Sequence, residues 1–234
     1  MKKRIFLVMF VALLCGVMTL SAQKPFAGRI QFETTVEGSD DPNVQSALAG
    51  MTTEYLVMGN NQKIVISIQG FGQITIMNGD YNIIYHIIDI SAFNMGKYYK
   101  EVKGDELKEQ LSKRKIDYDY TQETKEICGY TCKKVIASET DLESDEVSKT
   151  IYWVTTDLNV GDNINFATAP GLKGFALSTE TETSFGDETI TMIHTATLVK
   201  ADKKVKASAF YRPSDAVPYA EMPEEVKAQL GLGE

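Results

Sequence analysis

Histidine, cysteine and tryptophan are scarce in this 234-residue chain, at two, three and one. Zinc and transition-metal centres draw on cysteine and histidine, so such a site is not expected. His86 and His194 each sit among apolar residues, with no local nucleophile or orienting acid to make either one a general base. Gly-x-Ser-x-Gly, His-Glu-x-x-His and the Walker sequence are absent. The chain therefore reads as a non-enzyme without a cofactor. A basic excess is missing too: 24 Lys and Arg face 32 Asp and Glu. Asp40 with Asp41, Asp117 with Asp119, and the acidic stretch 141–146 lack the ordered spacing of a calcium loop and read as solvated turns.

The only long apolar run is at the start. Lys2, Lys3 and Arg4 precede an almost wholly apolar stretch at 5–17, and Thr19, Leu20, Ser21 and Ala22 offer a small-residue cleavage site. Residues 1–22 are thus expected to be a cleaved signal peptide, giving a periplasmic or secreted protein that starts at Gln23. Lipid attachment at Cys15 is disfavoured, because Leu14 stands where that processing wants a small residue. Nothing after Gln23 is apolar long enough to span a bilayer as a helix. The whole chain carries −8; the leader takes +3 with it and leaves −11. Such a protein repels polyphosphate backbones and anionic bilayers, so nucleic acid is not an expected partner.

Residues 23–234 suit one β-rich domain of the α+β class, mainly antiparallel. Ile30, Phe32, Thr34 and Val36 alternate with polar residues, the mark of a half-buried strand. Strands follow at 55–58, 63–68 and 73–77, and Asn78-Gly79 predicts a tight hairpin into 81–88. Further strands are expected from 118 onward, at 132–138, 149–155, 174–183 and 189–199, and a short one at 207–211, for roughly ten in all. Three short helices are expected. They lie at 42–48, at 105–114 with Asp105 as cap, and at 222–231 between Pro223 and Gly231.

Cys128 and Cys132 are the cysteines left after cleavage, and an oxidising compartment permits a disulfide between them. A bridge wants Cα atoms ~4.4–6.8 Å apart, whereas four strand steps cover about 13 Å. It forms only if 129–131 turn tightly; otherwise both stay as thiols. The apolar surplus near the N-terminal strands is the other feature: Met58, Phe71, Met77, Phe93 and Met95, with Leu107 and Leu111 on one face of the second helix. Methionine makes an adaptable lining, so these seven are candidates for an apolar cleft, against the plainer reading of ordinary core.

Ile127, Gly129, Tyr130, Cys132, Lys133 and Lys134, then Trp153, Val154, Thr155, Asp157 and Leu158, then Gly174, Phe175, Ala176 and Leu177 form a recurring pattern. Across about 26–213 the chain resembles the exported Bacteroidetes-type family catalogued as domain of unknown function 4412. That family looks similar in fold to the lipoprotein carriers LolA and LolB, a curved antiparallel half-barrel with helices on its concave side. The resemblance implies an apolar cleft and places Trp153 on a central strand; it implies no activity. Two functions follow as expectations. One is non-catalytic binding of a lipid, an acyl chain or an apolar polypeptide segment in the half-barrel cleft. The other is an envelope structural or interaction protein with a filled core and no ligand.

Overall fold

The computed structural model describes residues 24–39, 51–185 and 188–230. The expected leader at 1–22, the expected helix at 42–48 and the Gly231 stop lie outside the described residues. Among the described residues twelve strands form a single sheet, against the roughly ten that the sequence pattern predicts. The first six are β1 (Ala27–Glu37), β2 (Thr52–Met58), β3 (Asn61–Ile68), β4 (Phe71–Asn78), β5 (Ile83–Asp89) and β6 (Lys97–Lys103). After helix α1 (Gly104–Ser112) come β7 (Arg114–Ile127), β8 (Tyr130–Asp141), β9 (Val147–Thr155), β10 (Phe175–Phe185) and β11 (Glu188–Ala201). The three-residue β12 (Ala216–Pro218) and helix α2 (Glu224–Gln229) complete the described chain.

The order across the sheet is β12-β6-β5-β4-β3-β2-β1-β11-β10-β9-β8-β7. Every pairing is antiparallel except β12 with β6. Two meanders, β1 to β6 and β7 to β11, are thus joined in the middle by β1 and β11. They are joined again by α1, which runs from β6 to the opposite edge strand β7. In a flat sheet those strands would lie ten spacings apart, about 48 Å. Nine helical residues reach only about 14 Å. The sheet therefore curls, and α1 lies across the hollow.

Register defines the two faces. One row on the inner face runs Ile30, Tyr55, Ile64, Thr75, His86, Lys100. The next row includes Met77, Ile84 and Val102, against which Leu107 of α1 and Phe166 pack. On the outer face, Ile74, Ile76, Tyr85 and Ile87 are covered by Phe210, a fully buried side chain from the segment after β11. The sequence pattern predicts a strand at 207–211 in that segment, but it forms a 3-10 turn instead, Ala207–Phe210. Phe210 reaches inward from the turn without strand pairing.

Local details depart from expectation in two further places. Asn78-Gly79 does not make a two-residue hairpin: residues 79–82 form a four-residue turn, with the left-handed conformation at Asn82 (φ 54). Gly79 is there for closeness, since a Cβ would collide with the backbone oxygen of Asn60 and sit 2.8 Å from that of Asn163. Helix α1 ends at Ser112, before 114, because Arg114 is already in β7. Lys103 occupies its N-cap, and Asp105 lies inside the first turn, where its charge still complements the helix dipole.

Candidate functional site

The connection 156–174 between β9 and β10 crosses the inner face as a roof. Connections of this length inside a compact fold are unusual and commonly functional. Polar side chains from both sheet halves hold it. Gln62 Nε2 donates to the Ile164 carbonyl (2.7 Å), and Asn163 Nδ2 to the Gly79 carbonyl (2.6 Å). From β7, Arg114 donates to the Ala167 carbonyl and the Tyr118 hydroxyl to that of Pro170 (3.2 Å), while the Lys173 amide donates to the Tyr120 hydroxyl (3.0 Å). Within the roof, Asn165 Nδ2 donates to the carbonyls of Leu172 and Gly174, which shapes the bend before β10.

Between roof and sheet lies a cavity of about 230 Å³. Its floor comprises Phe32, Tyr55, Ile64, Tyr152, Thr179, Thr181 and His194, and its ceiling includes Asn165, Thr168, Ala169 and Leu172. The His194 ring stacks on Phe32 at 4.6 Å, nearly parallel, and its Nδ1 is 2.8 Å from the Thr34 hydroxyl. Tyr55 lies 4.5 Å from Phe32 and meets Phe175 edge-on at 6.3 Å, so aromatic rings wall one end. Burial sets the protonation states. It lowers His194 to about 4 and raises Tyr55 to about 12, the latter helped by Tyr152. Both are neutral near pH 7.

A second cavity of about 370 Å³ shares Thr168 with the first and lies beneath α1. Met77, Ile84, Leu107 and Leu111 supply its apolar wall, with His86 and Arg114 at its polar side. Partial burial and the neighbouring Lys100 lower the pKa of His86. The floors are continuous, because Ile64 in the first cavity pairs with Thr75 in the second. Among the described residues no cluster of three His, Cys, Asp or Glu side chains could hold a metal ion.

Of the seven residues picked from the sequence, Met77, Leu107 and Leu111 come together around this second cavity. The other four do not join them. Met58 packs with the Phe210 cluster on the outer face, and Phe71 packs with Met222 near α2. Phe93 and Met95 stand exposed in the connection between β5 and β6. Apolar character alone does not report which face a residue takes, whereas strand register does.

Cys128 and Cys132 are both free thiols. Cys128 and Gly129 form the turn of the β7–β8 hairpin, both with positive φ (51° and 79°). Cys132 lies beyond that turn opposite Lys125, so the register does not set the two cysteines across from each other. Cys128 Sγ donates to the Ala196 carbonyl (3.2 Å), while Cys132 is fully buried, its thiol raised to about 11 chiefly by burial. Neither thiol has the depressed pKa of a reactive one.

Sequence reasoning missed the floor residues Tyr55, Tyr152, Thr179 and Thr181 and the whole roof. A signal was present in the length of the loop between the Trp153 strand and the Phe175 strand. No family model matches the chain, and no curated protein matches it either.

Proposed function

We propose that this protein is a non-catalytic binding module that holds a lipid, an acyl chain or an apolar polypeptide segment in the hollow of a half-barrel. The observation that carries the reading is the pair of adjoining cavities between sheet, roof and α1, about 230 and 370 Å³, lined mostly by aromatic, aliphatic and hydroxyl side chains. That size and lining suit a small apolar ligand. The leader-like residues 1–22 and the resemblance to the exported family argue for work outside the cytoplasm. The rival, an envelope scaffold without a ligand, draws on the many hydrogen bonds that pin the roof.

Helix α1 is the moving part in this proposal. It is nine residues long, marginal on its own, and its apolar contribution to the hollow is Leu107 and Leu111, with Gln110 beside them. An uncharged polarity-sensitive dye such as Nile red is expected to bind the wild type at micromolar concentration. Leu107→Glu with Leu111→Glu is expected to weaken that binding about tenfold or more while the circular dichroism of the sheet persists. A wild type that leaves the dye unbound, or a double variant that unfolds globally, sinks the proposal. Mass spectrometry of organic extracts from protein purified out of its own host then identifies the ligand.

A further inference from the structure

The smaller cavity differs from the larger in one respect: none of its fifteen lining residues carries a charge. Its polar character comes instead from hydroxyls, two side-chain amides and one imidazole. Most of these are already engaged. Gln62 and Asn165 hold roof carbonyls, and the Thr150 and Thr181 hydroxyls lie 3.5 Å apart. Four are not. The Thr168 hydroxyl sits exposed on the roof, while the Tyr55 hydroxyl, the Thr179 hydroxyl and His194 Nε2 belong to the floor; none has a hydrogen-bond partner among the described residues, although all four residues line the same 230 Å³ space. The three floor residues are half-buried, so these atoms are open to the cavity and available to a ligand or water. The register brings them together: Thr179 pairs with His194, which pairs with Thr34 two residues from Phe32.

We propose that this cavity seats the uncharged polar end of an amphiphile, a hydroxyl, ester or ketone held by Tyr55, Thr179 and His194, with its tail under α1. The proposal rests on the binding function argued above and narrows it to neutral ligands. A carboxylate, phosphate or ammonium seated here would lose its hydration and find no counter-charge, which is strongly unfavourable. A neutral oxygen replaces its water hydrogen bonds with those of Tyr55, which remains a protonated donor, and of Thr179. The tail direction follows from the walls, because Met77, Ile84, Leu107 and Leu111 line the adjoining cavity.

The experiment is displacement of Nile red at pH 8 by three twelve-carbon probes: dodecan-1-ol, dodecanoate and dodecylammonium. The alcohol is expected to displace the dye at about tenfold lower concentration than either ion. Tyr55→Phe and, as a second variant, Thr179→Val are expected to bring the alcohol-to-dodecanoate ratio down towards one. Either ion matching or beating the alcohol overturns the assignment of ligand class, as does bound dye that none of the three displaces. A ratio unchanged in both variants overturns the assignment of the seat. If the dye itself fails to bind, the binding function falls and this inference with it.

Discussion

Strands β5 and β7 show how differently the two halves of the sheet are used. In β5, Ile83, Ile84, Tyr85, Ile87 and Ile88 run almost without a polar break, and both faces of the strand are covered. In β7, exposed Lys115, Asp117 and Asp119 alternate with half-covered Ile116 and Tyr118. A strand buried on both sides reads as continuous apolar sequence; one with a wet side alternates. The difference teaches that the N-terminal meander is a middle layer, with α1 and the roof on one side and the segment after β11 on the other. The C-terminal meander leaves much of its outer face wet, although Cys132 and Ser178 on that side are fully buried. Its outer face carries charge: Trp153 donates to Glu180 (2.8 Å), with Lys125 and Lys134 over its ring at 5.4 and 6.0 Å.

That contrast makes a graded set of expectations. Phe210→Ala removes the fully buried cover of the doubly packed half and is expected to destabilise by about 3–5 kcal/mol. A denaturant midpoint near wild type would show that the outer cover is dispensable and erase the distinction. At the seam between the halves, His194 gives a pH signature. Its folded pKa of about 4 lies below the ordinary 6.5, so the unfolded chain takes up the proton first. Its contribution is therefore intact above pH 6.5 and lost as pH falls towards 4, by about 2 kcal/mol once partial exposure is discounted. Subtracting the stability curve of His194→Asn from that of the wild type isolates it; a flat difference contradicts the buried placement.

Trp153→Ala tests the half with one wet side. The family resemblance puts this residue on a central strand, where the loss would be as large as for Phe210. Instead β9 is the third strand from the edge and Trp153 is half-buried among lysines, so about 1–2 kcal/mol is expected. A loss equal to that of Phe210→Ala would put both halves on the same footing. Cys128→Ser should move stability least, within about 0.5 kcal/mol, because its side chain is exposed and unbridged. Reductant should likewise leave the wild-type midpoint in place; a shift would reveal a disulfide.

Where side chains repeat with period two, the sequence spoke clearly: β1, the middle of β3 and β8 through β11 fall close to their expected positions. Expectation failed where packing overrode a local signal. Asn78-Gly79 has the chemistry of a tight hairpin, but the Asn163 side chain docks on the Gly79 carbonyl and the turn opens to four residues. Phe210 has no periodic neighbours, so nothing local said that it covers Ile76 and Tyr85. The candidate site was the least legible part. Thr179 and His194 pair across β10 and β11, but Tyr55 lies far from them in the chain and meets them only because β1 joins the two meanders.

That joint also governs how the chain can fold. Most other pairings link strands that follow one another, so each meander can form as its own residues appear. Gly28 with Ala201 and Glu37 with Thr191 bracket a different kind of pairing, between chain positions more than a hundred and fifty residues apart. Contacts of that range form slowly because a large loop must close first. During synthesis, β1 waits with one backbone edge open and Ile30 and Phe32 uncovered until β11 arrives. A nascent or truncated chain that stops short of residue 188 keeps that edge, and an unpaired apolar edge recruits strands from other molecules. The seam that brings Tyr55 to Thr179 and His194 is thus also the step at which folding competes with aggregation.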